Sequence, residues 1–148
     1  MKKILITDKR FAIGIDPGTR TGLAIWDTQL RAFIVVDTHN ATQARDRILR
    51  EFPPAEAVIV FEDARQRKYL PREKNLSEYR GKLMGAGSVK RDCELWEEFC
   101  LFYGYHYTAV PPRAGLTKWT DEQFKRMTGW HGRTSNHARD AALLVFGK

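Results

Sequence analysis

Ile13-Gly14-Ile15-Asp16-Pro17-Gly18-Thr19-Arg20-Thr21-Gly22 carries an apolar strand into an aspartate and then into a Pro-Gly turn. Pro17 fixes its own φ, and Gly18 is free to take the positive φ that tight turns often need. Thr21 to Trp26 reads as the returning strand, so the segment is a β-hairpin with a carboxylate at its mouth. A carboxylate at a strand end is held rigidly yet reaches solvent, which suits a metal ligand. Asp is also common as a turn cap, and the hairpin alone leaves both roles open for Asp16.

Outward from the hairpin, Arg10–Asp16, Thr21–Asp27 and Leu30–Thr38 form three strands joined by short turns, hence an antiparallel meander. Residues 1–9 read as a loose lead-in. Asn40 or Thr42 caps a helix running to about Phe52, where Pro53-Pro54 ends it. Ala57–Phe61 is a continuous apolar run, the pattern of a strand buried on both faces, and it delivers Glu62 and Asp63 at its C-terminal end. Asp63 points to the opposite side of that strand and is set aside. Ser88–Tyr103 reads as an amphipathic helix with Leu95, Trp96, Phe99, Cys100 and Phe102 on its apolar face. Tyr105–Val110 is a fifth strand, stopped by Pro111-Pro112. Thr120, with Gln123 in the capping-box position, opens a short helix to about Met127. Asn136 caps a last helix through Val145. This order predicts a single α/β domain spanning 1–148: a five-stranded mixed sheet, its first three strands an antiparallel meander, with helices on both faces.

At 148 residues the chain is long enough to bury a real core. A net charge of +7 permits a polyanionic partner, either nucleic acid or an anionic membrane surface. No apolar run approaches the ~20 residues of a membrane span, and the short run after Lys2-Lys3 is too little for a signal peptide. Cys93 and Cys100 lie two turns apart on one helix, too far apart for a disulfide, and read as reduced core thiols of a cytoplasmic protein. Residues 63 to 91 are different in character. They hold nine Lys or Arg and two Glu, with Tyr69, Tyr79, Gly81, Gly85 and Gly87 interspersed.

The last helix carries the second chemical signal, His137 and Asp140 at i and i+3, which share one face of its first turn. If that helix packs beside the first strand, His137 and Asp140 approach Asp16, with Glu62 on the adjoining strand. Clustered carboxylates repel one another, a cost that divalent cations offset. Hard oxygen donors favour Mg²⁺ or Mn²⁺ over Zn²⁺. Taken singly, Asp140 also fits helix-dipole stabilisation and His137 a solvated N-terminal position.

Together these residues resemble a family. Ile-Gly-Ile-Asp-Pro-Gly-x-x-Thr-Gly from Ile13, a glutamate closing the fourth strand and His-x-x-Asp opening the last helix look like the RuvC-type Holliday-junction resolvases of the ribonuclease H-like superfamily. The resemblance runs from about Arg10 to the C-terminus and is weakest in the middle. It implies a ribonuclease H-like fold and a metal-dependent endonuclease cutting branched DNA, most naturally four-way junctions, as a homodimer. Two Mg²⁺ ions, with Mn²⁺ as substitute, would fall on Asp16, Glu62, His137 and Asp140, and no nucleotide cofactor or membrane is involved. Lys118, after the fifth strand, would stabilise phosphate charge in the transition state. Arg65, Arg67, Lys68, Tyr69, Arg72, Lys74, Arg80, Lys82 and Arg113 would contact nucleic acid, the cations through phosphate and Tyr69 by stacking on an unpaired base. A solvated basic loop explains the same segment equally well. Gly85-Ala86-Gly87 fits either close approach of a partner helix or an ordinary passage from loop to helix. His131 and Arg133 either touch DNA or face solvent.

Three other readings compete. A ribonuclease H-like nuclease acting on RNA or RNA–DNA hybrids shares the metal chemistry and differs only in surface shape. A non-catalytic branched-DNA-binding module fits the charge but has no need of four metal-type side chains. A sugar-kinase or actin-like ATPase shares an Asp-x-Gly loop yet needs two domains around a nucleotide cleft.

Overall fold

A computed structural model of the chain describes residues 8–67, 76–112 and 118–148. The lead-in before residue 8, together with Lys68, Tyr69, Arg72, Lys74 and Arg113, lies outside the described residues. The fold is α/β. Strands β1 (Phe11–Asp16), β2 (Thr21–Asp27) and β3 (Ala32–His39) lead to helix α1 (Ala41–Glu51) and strand β4 (Ala57–Glu62). After a 3₁₀ turn at Ala64–Gln66 come α2 (Leu76–Tyr103), β5 (His106–Val110), α3 (Asp121–Thr128) and α4 (Asn136–Leu143).

The five strands make one sheet in the order β3-β2-β1-β4-β5. β1, β2 and β3 pair antiparallel, while β4 runs parallel to β1 and β5 parallel to β4. Alternation along each strand divides the core between two faces. Ile13, Ile15, Ile59 and Phe61 pack with Ile48 of α1 and with Cys93, Trp96 and Phe99 of α2. Ala12, Ala24, Val58 and Val60 pack with Phe124 of α3 and with Ala138, Ala141 and Ala142 of α4. Helices therefore cover both faces, as the sequence predicts.

Element boundaries differ from expectation by a residue or two at several ends, as at α4, which stops at Leu143 rather than Val145, and four differences have a visible cause. The long helix α2 begins at Leu76 rather than Ser88, so Gly81, Gly85 and Gly87 lie inside it. Glycine in a helix interior costs only ~1 kcal/mol relative to alanine, and no proline, the true breaker, follows Pro71 in this region. Strand β3 starts at Ala32 because Asp27 accepts hydrogen bonds from the Gln29 and Leu30 amides (2.9 and 3.0 Å), holding a turn in which Arg31 takes φ 55°. β5 starts one residue late, since Gly104 turns the chain with φ 78° and the Tyr105 amide still bonds the Cys100 carbonyl at 2.9 Å. Ser135, not Asn136, caps α4: its hydroxyl accepts from the Ala138 amide at 3.0 Å. The caps of α1 and α3 are the expected Asn40 and Thr120, each with a complete capping box. Cys93 and Cys100 are free thiols, both buried, and burial pushes them up to about 11 and about 12. No helix among the described residues is long and apolar enough to cross a membrane.

Two glycines fix how α4 meets the sheet. A Cβ on Gly14 would overlap the carbonyl oxygen of Ala141, and a Cβ on Gly22 would overlap that of His137. Both overlaps are with backbone, which cannot rotate away. Gly14→Ala should therefore destabilise the protein by about 1–3 kcal/mol or more in urea unfolding. Gly85→Ala, on an α2 position with open space around its added methyl, should instead stabilise by up to ~1 kcal/mol. Equal effects at the two positions would show that α4 is not seated on the strand as described.

Candidate active site

Parity along β1 puts Ala12, Gly14 and Asp16 on the α4 face of the sheet, since Ile13 and Ile15 belong to the opposite core. In the parallel ladder Ile15 stands beside Phe61, so the next pair along is Asp16 and Glu62. Two carboxylates thus leave the C-terminal ends of neighbouring strands on the same side. Asp63, one residue further, turns to the α2 face. There it caps the 3₁₀ turn and receives Arg65 on both oxygens at 2.8 and 2.9 Å.

Helix α4 supplies the other groups. With the His137 carbonyl over Gly22, the His137 side chain reaches the hairpin mouth, and its Nδ1 lies 3.0 Å from Asp16 Oδ2. With Nδ1 protonated, the imidazole donates and the carboxylate accepts. Lys118 Nζ donates to Asp140 Oδ2 at 2.8 Å. Asp16, Glu62, His137, Asp140 and Lys118 therefore occupy one end of one face.

These groups feel one another's charge. Burial pushes the Asp16 carboxyl above its ordinary value; the His137 hydrogen bond opposes this, and the Asp140 charge adds to it. Burial also raises Glu62, reinforced by the charges of Asp16 and Asp140 and opposed by Lys118 and Arg67. The Lys118 ammonium is held in its charged form by the Asp140 hydrogen bond and also feels Asp16 and Glu62. One lysine thus sits among three carboxylates that repel one another.

Among the described residues, no three His, Cys, Asp or Glu side chains stand close enough together to grip a metal ion as they lie. Asp16 is turned to His137 and Asp140 to Lys118. The donor set nevertheless suits a hard divalent cation: among the described residues it offers three carboxylates with an imidazole and no thiolate.

The basic residues divide. Arg65 ion-pairs with Asp63 and with Glu97 (2.8 and 3.0 Å), and these carboxylates raise its pKa further. These ion pairs join the end of β4 to α2. Arg67 is exposed and lies within electrostatic range of Glu62. Arg80 and Lys82 stand on the exposed N-terminal half of α2. His131 and Arg133 are exposed in the loop before α4. Sequence reasoning missed Arg139, only 9% exposed and bonded around its whole guanidinium. It also passed over Gly14 and Gly22, whose parity with Asp16 was the available signal.

The raised carboxyls set a sign for stability. A carboxyl whose folded pKa exceeds its unfolded value makes the protein less stable as pH rises from the ordinary carboxylate range through the folded pKa. For Glu62 that window opens near 4.5 and extends upward. Above it Glu62→Gln, which removes the charge and keeps the shape, should raise the thermal midpoint by about 2–4 °C, the effect of ~1 kcal/mol in a domain of this size. The gain should vanish below pH 4; a lowered midpoint at neutral pH would refute the repulsive cluster. In comparisons with models of known protein families and with curated protein sequences, the chain matches none.

Proposed function

We propose that this chain is a metal-dependent endonuclease of ribonuclease H-like fold that cuts branched DNA, with four-way junctions as its substrate. The sheet order β3-β2-β1-β4-β5 supports the fold assignment, with its antiparallel meander and two parallel crossover strands. The observation that carries the function is the meeting of Asp16 with His137 from the far end of the chain, beside Glu62 and a Lys118–Asp140 pair. A structural ion pair needs one cation and one carboxylate. Asp16 and Glu62, both with raised pKa, gathered with Asp140 at one end of the sheet are costly unless a further positive group arrives.

Asp16, Glu62, His137 and Asp140 would hold two Mg²⁺ ions, which supply Lewis-acid activation of water and neutralisation of the scissile phosphate. Asp16 orients His137 through their hydrogen bond. Lys118, 70% exposed at its side chain, presents an ammonium to an incoming phosphate while its partner Asp140 keeps it at the site. Arg67 adds a second cation near Glu62. The net charge of +7 gives DNA a sequence-independent, salt-sensitive attraction. Paired nicks need two such sites, and the exposed half of α2 offers Leu83 and Met84, 42% and 78% exposed, to a second copy.

The deciding experiment is cleavage of a synthetic four-way junction with Mg²⁺, beside linear duplex and RNA–DNA hybrid. Wild type should give paired symmetric nicks on the junction with 5′-phosphate ends. Asp16→Asn should lower the rate about 10²–10³-fold while junction binding persists, the scale expected when a transition-state electrostatic group is lost. Cleavage of the hybrid alone would reassign the substrate to RNA. Tight junction binding with no cleavage of anything would make the chain a binding module.

A further inference from the structure

Arg139 follows His137 by two residues and precedes Asp140, yet it points away from them into the protein. Its Nε donates to the Trp119 carbonyl at 3.0 Å. Nη1 donates to the Thr134 carbonyl and hydroxyl at 3.1 and 2.7 Å, and Nη2 to the Asn136 side chain. Asp121 Oδ1, the first residue of α3, lies 3.8 Å from Nη1. One buried guanidinium thus binds the segment leading into α3, the loop leading into α4 and the first turn of α4 itself.

The consequence concerns Lys118. Its ion pair with Asp140 is largely exposed on the lysine side, and exposed pairs contribute too little to hold a long side chain by themselves. Something else must keep the lysine backbone in reach. The Trp119 carbonyl is one residue from Lys118, and Arg139 is one residue from Asp140, so the bond between them closes a short bridge across the pair. We infer that Arg139 is a positioning residue, whose buried fork holds Lys118 against Asp140 and so fixes the cation that faces the scissile phosphate. The inference deepens the nuclease reading and rests on it for the catalytic consequence, while the placement of Lys118 stands independently. A lysine at position 139 could keep the charge but not the planar fork that reaches acceptors on three residues at once.

The test compares wild type with Arg139→Gln, Arg139→Lys and Lys118→Met in two readouts. In the first, without DNA, lysine amines are acylated under limiting reagent and quantified by peptide mass spectrometry, with Lys90 as an exposed control. Acylation at Lys118 should rise about three-fold relative to Lys90 in both Arg139 variants, as release of an exposed ion pair predicts. In the second, Arg139→Gln should lower kcat on the junction about ten-fold with KM little changed. That loss should disappear in the Lys118→Met background, because residues acting through one another are non-additive. If Arg139→Gln does not fold, judged by circular dichroism, Thr134→Val with Asn136→Ala removes two acceptors of the fork and should shift Lys118 acylation the same way. Unchanged Lys118 labelling in folded variants, or additive losses with Lys118→Met, would overturn the positioning role. Raised Lys118 labelling in a protein that cuts no nucleic acid would overturn the nuclease reading alone. Full kcat in Arg139→Lys would show that charge suffices and would also overturn the fork.

Discussion

Backbone-to-backbone seating of α4 on the β1–β2 hairpin is the constraint from which the site follows. Gly14 and Gly22 leave no side chain between helix and sheet, and Ala138, Ala141 and Ala142 keep the facing side of α4 small. The helix can therefore approach until its carbonyl oxygens rest where methyl groups would otherwise stand. At that distance His137 falls beside Asp16, although 121 positions separate them in the chain. A larger residue at either glycine would push the helix outward and carry the imidazole away from the carboxylate. Packing and chemistry here depend on the same two absent side chains.

The C-terminal end of β4 shows how differently two neighbouring carboxylates can be treated. Asp63 is buried, which alone would raise its pKa, but two side-chain bonds and a backbone amide from Arg65 more than reverse that. Its neighbour Glu62 is raised, by burial and by Asp16 and Asp140, with only partial relief from Lys118 and Arg67. Asp63 is a satisfied structural acid that ties β4 through Arg65 to Glu97 of α2. Glu62 is an unsatisfied one. Proteins keep unsatisfied charge clusters where function requires them and accept lower stability as a result. That contrast, between adjacent residues on opposite faces of one strand, separates the candidate site from the scaffold more sharply than exposure does.

Much of this was legible in the sequence, and for identifiable reasons. The strands announced themselves through apolar runs ending in turn residues, and strand alternation put Asp63 on the opposite face from Glu62. The i, i+3 spacing of His137 and Asp140 placed both on one turn whatever the rest of the fold did. What could not be read was anything depending on distances between elements. Glycine pointed to a loop at Gly81–Gly87, because its weak helix propensity looks the same in a loop and in an exposed helix that continues past it. Ser135 and Asn136 are both good caps, and the choice turned on Arg139 engaging the Asn136 side chain. Arg65 looked like one more cation in a basic run until Asp63 and Glu97 were seen around it. Arg139 itself reads as a solvated helix residue, and only the loop carbonyls converging on it show otherwise.

A site assembled from β1, β4, the segment before α3 and the first turn of α4 exists only when the whole sheet is formed. In the unfolded chain Asp16, Glu62 and Asp140 are far apart and carry their charges at no mutual cost. Folding brings them together against that repulsion, so the cluster subtracts from stability until compensating charge arrives. A cation that binds the folded cluster and not the unfolded chain must then stabilise the fold by mass action. Lys118 gives a measure of this effect within the protein itself. Among the described residues it is the cation paired with Asp140, and the buried Arg139 bonded to the neighbouring Trp119 carbonyl is what lets an exposed lysine stay there. The stable side of the molecule, a close-packed helix with a fully bonded arginine, holds the unstable side in place.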